Sequence, residues 1–324
     1  MSEIKLHRNT GLDLVRATEA AAISAARWMG LGRRDEADQA ASTAMLRALD
    51  NLELDGRIVV GEESRVDSFP EVRAGRPVGT GRGMAVDVVI DPIDGRRLLA
   101  QGRAGAVSVA AVAARGAMWS PSPAAYMEKL VVNRAAAAAL VPECLDAPVA
   151  WTLALIARAK GKTARDLVVF MLDRPRHSDL LDEIRAAGAR VMLTDDGDIS
   201  GAALAAAPDG PVDLLIGVGG TAEGVIAACA VKALGGGMLA RLAPQSAVER
   251  QALAAAGIDT RRILSCEDIV AGNQVFFVAT GITDGLLLAG VGFAHDRAST
   301  NSLILRCETR TRRSIHAEHL ITAI

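Results

Sequence analysis

The chain has 324 residues, 50% of them hydrophobic, with 36 basic and 38 acidic side chains and a formal charge of -2, enough to bury one large core or two modest ones. That near balance excludes a global field aimed at nucleic acid or an anionic membrane surface, and an aromatic content of 3% excludes the stacking platforms that single-stranded nucleic acid requires. Cys144, Cys229, Cys266 and Cys307 stand far apart with no CxxC pair, so they read as free thiols rather than as a zinc site or a disulfide framework. Residues 1–7 carry mixed charge without the apolar run of a secretory signal. The longest apolar stretches, such as residues 135–141, are too short to cross a bilayer, and a soluble cytoplasmic protein is expected.

Residues 12–29 have helical apolar spacing, with Thr10 placed to cap the first turn and Gly30 to close the helix. A second helix is expected over residues 38–52, opening on acidic residues where the helix dipole favours them. Short β-branched runs at 58–60, 85–90 and 107–113 read as strands. After a helix at 150–160 the pattern alternates: strand 167–172, helix 178–187, strand 191–194, helix 199–207, strand 212–218, helices 222–234 and 246–256. Strand-like runs return at 275–279 and 302–306. The expected class is α/β, an α+β half over residues 1–160 followed by an α/β half over 161–324, with ligands beyond the strand ends of the second half.

The strongest local feature is Asp91-Pro92-Ile93-Asp94-Gly95 at the end of a strand. Both carboxylates can face one hard cation, for which magnesium or manganese suits an oxygen-only set. The plainer reading is an Asp-rich turn in which Asp91 caps the next helix. Asp38, Glu62 and Glu223 are further candidate ligands, each with its own alternative: a helix N-terminal charge for Asp38, a solvated loop residue for Glu62, a charge complementing its own helix for Glu223. Arg174-Pro175-Arg176 follows a buried strand, and arginine forks match phosphate oxygens, although a solvated loop explains the same residues. Asp196-Gly197-Asp198 occupies the equivalent place after the next strand, to accept sugar hydroxyls or to cap a helix. Tyr126 and Lys129 lie together, Lys129 as a further phosphate contact, with edge-strand packing as the simpler account. His316 and His319, three apart, read as a surface feature.

In this order the motifs resemble the class II fructose-1,6-bisphosphatases of bacteria, along nearly the whole chain. The resemblance rests on Gly61-Glu62-Glu63-Ser64, Asp91 to Gly95, Tyr126-Met127-Glu128-Lys129, Leu172-Asp173-Arg174-Pro175-Arg176-His177, Asp196-Gly197-Asp198, Gly219 to Val225 and Ala279 to Gly285. It implies a layered fold like that of the lithium-sensitive sugar phosphatases. It also implies metal ligands at Asp38, Glu62, Asp91, Asp94 and Glu223, and substrate contacts at Asp94 to Arg96, Tyr126, Arg174 to Arg176, Asp196 to Asp198 and Gly220. The implied activity is divalent-metal-dependent removal of the 1-phosphate of fructose 1,6-bisphosphate, with sedoheptulose 1,7-bisphosphate as a second substrate in some members, by a homo-oligomer. Asp91, Asp94, Glu62 and Arg96 would carry the chemistry.

The chain departs from the family pattern in three places. Arg96 stands where the pattern has threonine, Ser64 where it has a second glutamate, and Asp35 to Asp38 lacks a lysine. A second reading therefore stands beside the phosphatase: a sugar-phosphate-binding regulatory chain.

Overall fold

The computed structural model describes residues 6–61, 72–120 and 123–321. Thr10–Ala26 (α1) and Arg34–Asp50 (α2) come first. Thr10 lies inside α1 instead of capping it: its hydroxyl bonds back to the His7 carbonyl at 2.8 Å, and Asn9 takes the cap position. α2 starts about a turn before Asp38. The expectation of Asp38 as an N-terminal charge therefore fails, because the residue sits on the inner face of the helix and is 3% exposed. Leu54–Val60 (β1), Pro77–Val78 (β2), Met84–Asp94 (β3), Arg96–Ala100 (α3) and Val107–Ala114 (β4) follow.

The chain continues through Tyr126–Val132 (β5), Arg134–Ala137 (α4), Val149–Ala159 (α5), Val168–Leu172 (β6), Ser178–Ala186 (α6), Arg190–Thr194 (β7) and Asp198–Ala206 (α7). Leu214–Gly220 (β8), Thr221–Leu234 (α8), Gly237–Leu242 (β9), Ala247–Ala255 (α9), Leu264–Ser265 (β10) and Cys266–Ile269 (α10) complete that stretch. Val275–Gly281 (β11), Gly292–Ala294 (β12), Arg297–Arg306 (β13) and Thr311–Leu320 (β14) end it. These are the mixed elements of an α/β fold. Among the described residues no helix is long and apolar enough to cross a membrane, and all four cysteines are free thiols.

Contacts divide the chain into two units, Met1–Ser120 with Gly272–Ile324, and Pro121–Ala271. In the first, the sheet order is β12-β13-β11-β4-β3-β1-β2, with β14 on β13. Among the described residues only β1 and β3 run parallel there. α1 packs on β11, β13 and β4, burying Leu14 and Val15 against sheet residues such as Phe276 and Ile304 in a core of its own.

In the second unit the order is β10-β9-β5-β8-β6-β7, with β7, β6 and β8 parallel and the rest antiparallel. Tyr126 is thus not on an edge strand, since β5 runs between β9 and β8. A separate core of Leu130, Leu153, Ile156, Leu167, Ile184 and Leu214 holds this sheet to its helices; each fully buried leucine contributes about 1.5–3 kcal/mol. The carboxyl ends of β6, β7 and β8 come to one edge, where open α/β sheets bind their ligands.

Candidate active site

In the first unit the acidic segment is part of β3. The β3–β4 register moves from Asp91↔Val109 to Asp94↔Val107, so Pro92 and Ile93 oppose Ser108 alone in a bulge. A bulge tolerates Pro92, which has no N–H to give to the ladder. Ile93, 1% exposed, pins the bulge to the core, and its N–H donates to Asp91 Oδ1 at 3.0 Å. Gly95 follows with φ of +102°, and a Cβ there would lie 3.1 Å from Ala106 Cα, so the turn into α3 needs glycine. The helix-cap reading of Asp91 is overturned: Gly95 holds the N-cap position of α3, with no side-chain cap.

Asp38, Asp91 and Asp94 are each 3% exposed. Carboxylates at that depth require compensating charge or hydrogen bonds. α2 packs on both β3 and α3, which brings Arg96 Nη1 to 3.2 Å from Asp38 Oδ2. An oxygen-only donor set fits a hard divalent cation. Among the described residues no three His, Cys, Asp or Glu side chains are grouped so that they could hold a metal ion. Glu62, together with Glu63 and Ser64, lies outside the described residues.

The second unit assembles most of the other expected residues along one sheet edge. Arg174 Nη1 donates to the Asp195 carbonyl at 2.5 Å, and Nη2 lies 3.7 Å from Asp196 Oδ1. Arg176 donates through Nε and Nη2 to the Val218 carbonyl at 3.2 and 2.7 Å, and its guanidinium lies 5.4 Å from the Tyr126 ring centroid. Both forks are oriented by backbone acceptors, with Arg174 half-buried and Arg176 exposed. Burial and then the Arg174 charge hold the Arg176 pKa below its ordinary value.

Asp198 opens α7 and pairs with Lys129, while Gly197 takes the cap position. Its carboxylate therefore goes to a lysine instead of a helix end. Lys129 is completely enclosed, so its charge is spent on Asp198. Gly219 permits this: a Cβ there would lie 1.9 Å from Asp198 Oδ2 and 2.6 Å from Lys129 Nζ. Tyr126 pairs with Gly220 across β5 and β8. Glu223, in the first turn of α8, brings its carboxylate over Gly220, where a Cβ would lie 1.9 Å from Oε2.

Two residues at this edge escaped the sequence reading. Glu249 of α9 accepts the Ala125 and Tyr126 N–H groups on Oε1 at 2.8 and 3.1 Å and the Gln245 N–H on Oε2 at 2.8 Å, which fixes the start of β5. A glutamate in a helix gives no signal of such a role. His177 is 3% exposed and bonded on both ring nitrogens; its place beside the arginine pair was the available clue. Of the histidine pair near the end of the chain, His316 is exposed, but His319 is half-buried and Nε2 lies 2.9 Å from Thr300 Oγ1.

Buried oxygen donors in one α/β unit and oriented guanidiniums at parallel strand ends in the other are the chemistry of a protein that handles phosphate esters. Comparison with known proteins sharpens that class. Residues 8–319 match the family described as bacterial fructose-1,6-bisphosphatase, glpX-encoded. The chain is 38% identical over 329 aligned positions to the class 2 fructose-1,6-bisphosphatase of Haemophilus influenzae, covering 98% of this chain and 97% of that protein. It is also 38% identical to fructose-1,6-bisphosphatase 1 class 2 of Escherichia coli K12, with 98% and 96% covered. The chain belongs to the glpX-encoded bacterial fructose-1,6-bisphosphatase family.

Proposed function

We propose that this chain hydrolyses the 1-phosphate of fructose 1,6-bisphosphate, giving fructose 6-phosphate and phosphate, as a phosphoric monoester hydrolase of gluconeogenic or Calvin-type sugar metabolism. Family membership over residues 8–319 carries the reading, and the members are divalent-metal-dependent. In the first unit Asp38, Asp91 and Asp94, with Glu62, would hold the cation. Magnesium or manganese, bound there, supplies Lewis-acid charge to the scissile phosphate.

The protein groups do the positioning. Arg174 and Arg176, already oriented by backbone carbonyls, would clamp the phosphate that is not cleaved, and bidentate geometry fixes its register. Asp196 and Asp198 would accept sugar hydroxyls, with Lys129 holding Asp198, while Tyr126 and Gly220 shape the same edge. Arg96, next to the acidic bulge, would lend positive charge near the departing phosphate. The free thiols support a cytoplasmic chain, and we expect a homo-oligomer that also accepts sedoheptulose 1,7-bisphosphate.

The test is phosphate release from fructose 1,6-bisphosphate with magnesium or manganese, compared between the native chain and Asp91→Ala. Release in the native chain and a loss of about a hundredfold or more in the variant, the scale on which electrostatic catalytic groups act, support the reading. Absence of release from any sugar bisphosphate in the native chain contradicts it.

A further inference from the structure

The parallel β6–β8 pairing covers Val169↔Leu214 and Phe170↔Leu215 and goes no further, although both strands continue toward the ligand edge. His177 bridges the gap. Its Nδ1 lies 2.8 Å from the Leu172 carbonyl, and its Nε2 lies 2.8 Å from the Val218 nitrogen. The Val218 N–H can only donate, so Nε2 accepts; the Leu172 carbonyl can only accept, so Nδ1 carries the proton. A single neutral tautomer satisfies both bonds, and an imidazolium would set one N–H against another.

The neighbourhood is shaped to this ring. Gly217, at φ of +144°, gives it room: a Cβ there would lie 3.0 Å from His177 Cε1. The Val218 carbonyl takes both bonds from Arg176, so consecutive side chains hold the N–H and the C=O of one residue. Gly219 and Gly220 come next, against Asp198 and Glu223.

We infer that His177 is a positioning residue for sugar-phosphate binding: as a neutral Nδ1–H imidazole it splints the ends of β6 and β8, and so sets both Arg176 and the Gly219–Gly220 corner. The inference rests on the function proposed above. The charged groups that face the ring are Arg176 and Arg174 of its own loop and Asp198 at the start of α7, the last paired with Lys129 of β5. Burial, chiefly, holds the His177 pKa below the ordinary 6.5. For a base depressed by folding, the splint is complete above the ordinary value and is lost as pH falls through the depressed one.

The experiment combines 15N-histidine NMR of the native chain with steady-state kinetics of native, His177→Ala and His177→Gln proteins on fructose 1,6-bisphosphate with manganese. The native spectrum is expected to contain an Nδ1–H imidazole that is absent from both variants and that titrates below the ordinary histidine range. Loss of a buried bond should raise KM in His177→Ala by about tenfold, with kcat changed by less than about threefold. KM of the native chain, followed over a pH series, should rise on the acid side as the splint is lost, whereas glutamine, which offers Val218 an acceptor and does not titrate, should recover part of the alanine loss and show no such rise. If His177→Ala does not fold, His177→Gln and the native pH series carry the comparison. An Nε2–H tautomer, or a His177→Ala KM within about twofold of a working native chain, overturns the inference alone. A native chain without turnover overturns the reading beneath it.

Discussion

Arg96 and Asp38 meet at 3.2 Å, with the Asp38 side chain 4% exposed and that of Arg96 22% exposed. A carboxylate so enclosed must be compensated, and this chain supplies a guanidinium that competes for the oxygen a cation would use. Replacing Arg96 by threonine therefore has two expected effects. The metal-free protein should lose about 1–3 kcal/mol of stability, the scale of taking a charged hydrogen bond from a buried carboxylate. Manganese should bind more tightly, because the carboxylate no longer has to exchange one cation for another. Calorimetric titration of Mn2+ into native and Arg96→Thr proteins checks this; equal affinities would show that the pair does not compete with metal. At this scale the sequence was informative about residue identity more than about residue environment. Asp91, Asp94, Arg174 and Arg176 could be picked out as acids and bases at strand ends. The enclosure of Lys129 and the two-sided bonding of His177 depend on what β8 packs beside them, which no local pattern contains.

Among the elements, α1 and the strands β13 and β14 share a buried polar group. Glu19, 7% exposed, accepts from Thr300 Oγ1 at 3.3 Å, and Thr300 Oγ1 also lies 2.9 Å from His319 Nε2. Burial raises the Glu19 pKa above the ordinary 4.5, opposed by His319, by the hydroxyls of Thr300 and Ser302, and by Arg16. A carboxyl raised by folding contributes stability that is complete below 4.5 and declines as pH rises through its folded value. Glu19→Gln removes that titration, so its melting temperature should vary less between mildly acidic and neutral pH than that of the native chain. Superimposable pH profiles would contradict the assignment.

The legibility of these elements followed their burial. The alternating apolar segments of the second unit appeared close to where β6, α6, β7, α7, β8 and α8 lie. β14 was not visible as a strand, because its exposed residues Arg312, Arg313 and Glu318 interrupt half-buried Thr311, Ile315 and Ala317. The extension of β3 through Asp94 was hidden by Pro92, which reads as a stop and is instead accommodated in a bulge. The start of α2 was hidden because Arg34, Asp35 and Glu36 are exposed and carry no apolar period.

For the whole molecule, the two hydrophobic cores draw on separate stretches of chain: one lies within Met1–Ser120 and Gly272–Ile324, the other within Pro121–Ala271. Change of composition along the chain cannot show that strands after residue 272 rejoin the first sheet, since that pairing is non-local. A core of its own should let Pro121–Ala271 fold alone. That fragment is expected to give a cooperative thermal melt by circular dichroism; a melt without a transition would tie its stability to the remaining chain.

The central claim is that the chain removes the 1-phosphate of fructose 1,6-bisphosphate. Phosphorus NMR of the products formed from fructose 1,6-bisphosphate with manganese tests it directly. Fructose 6-phosphate with inorganic phosphate is the predicted result, and fructose 1-phosphate, or an unchanged substrate, would contradict it.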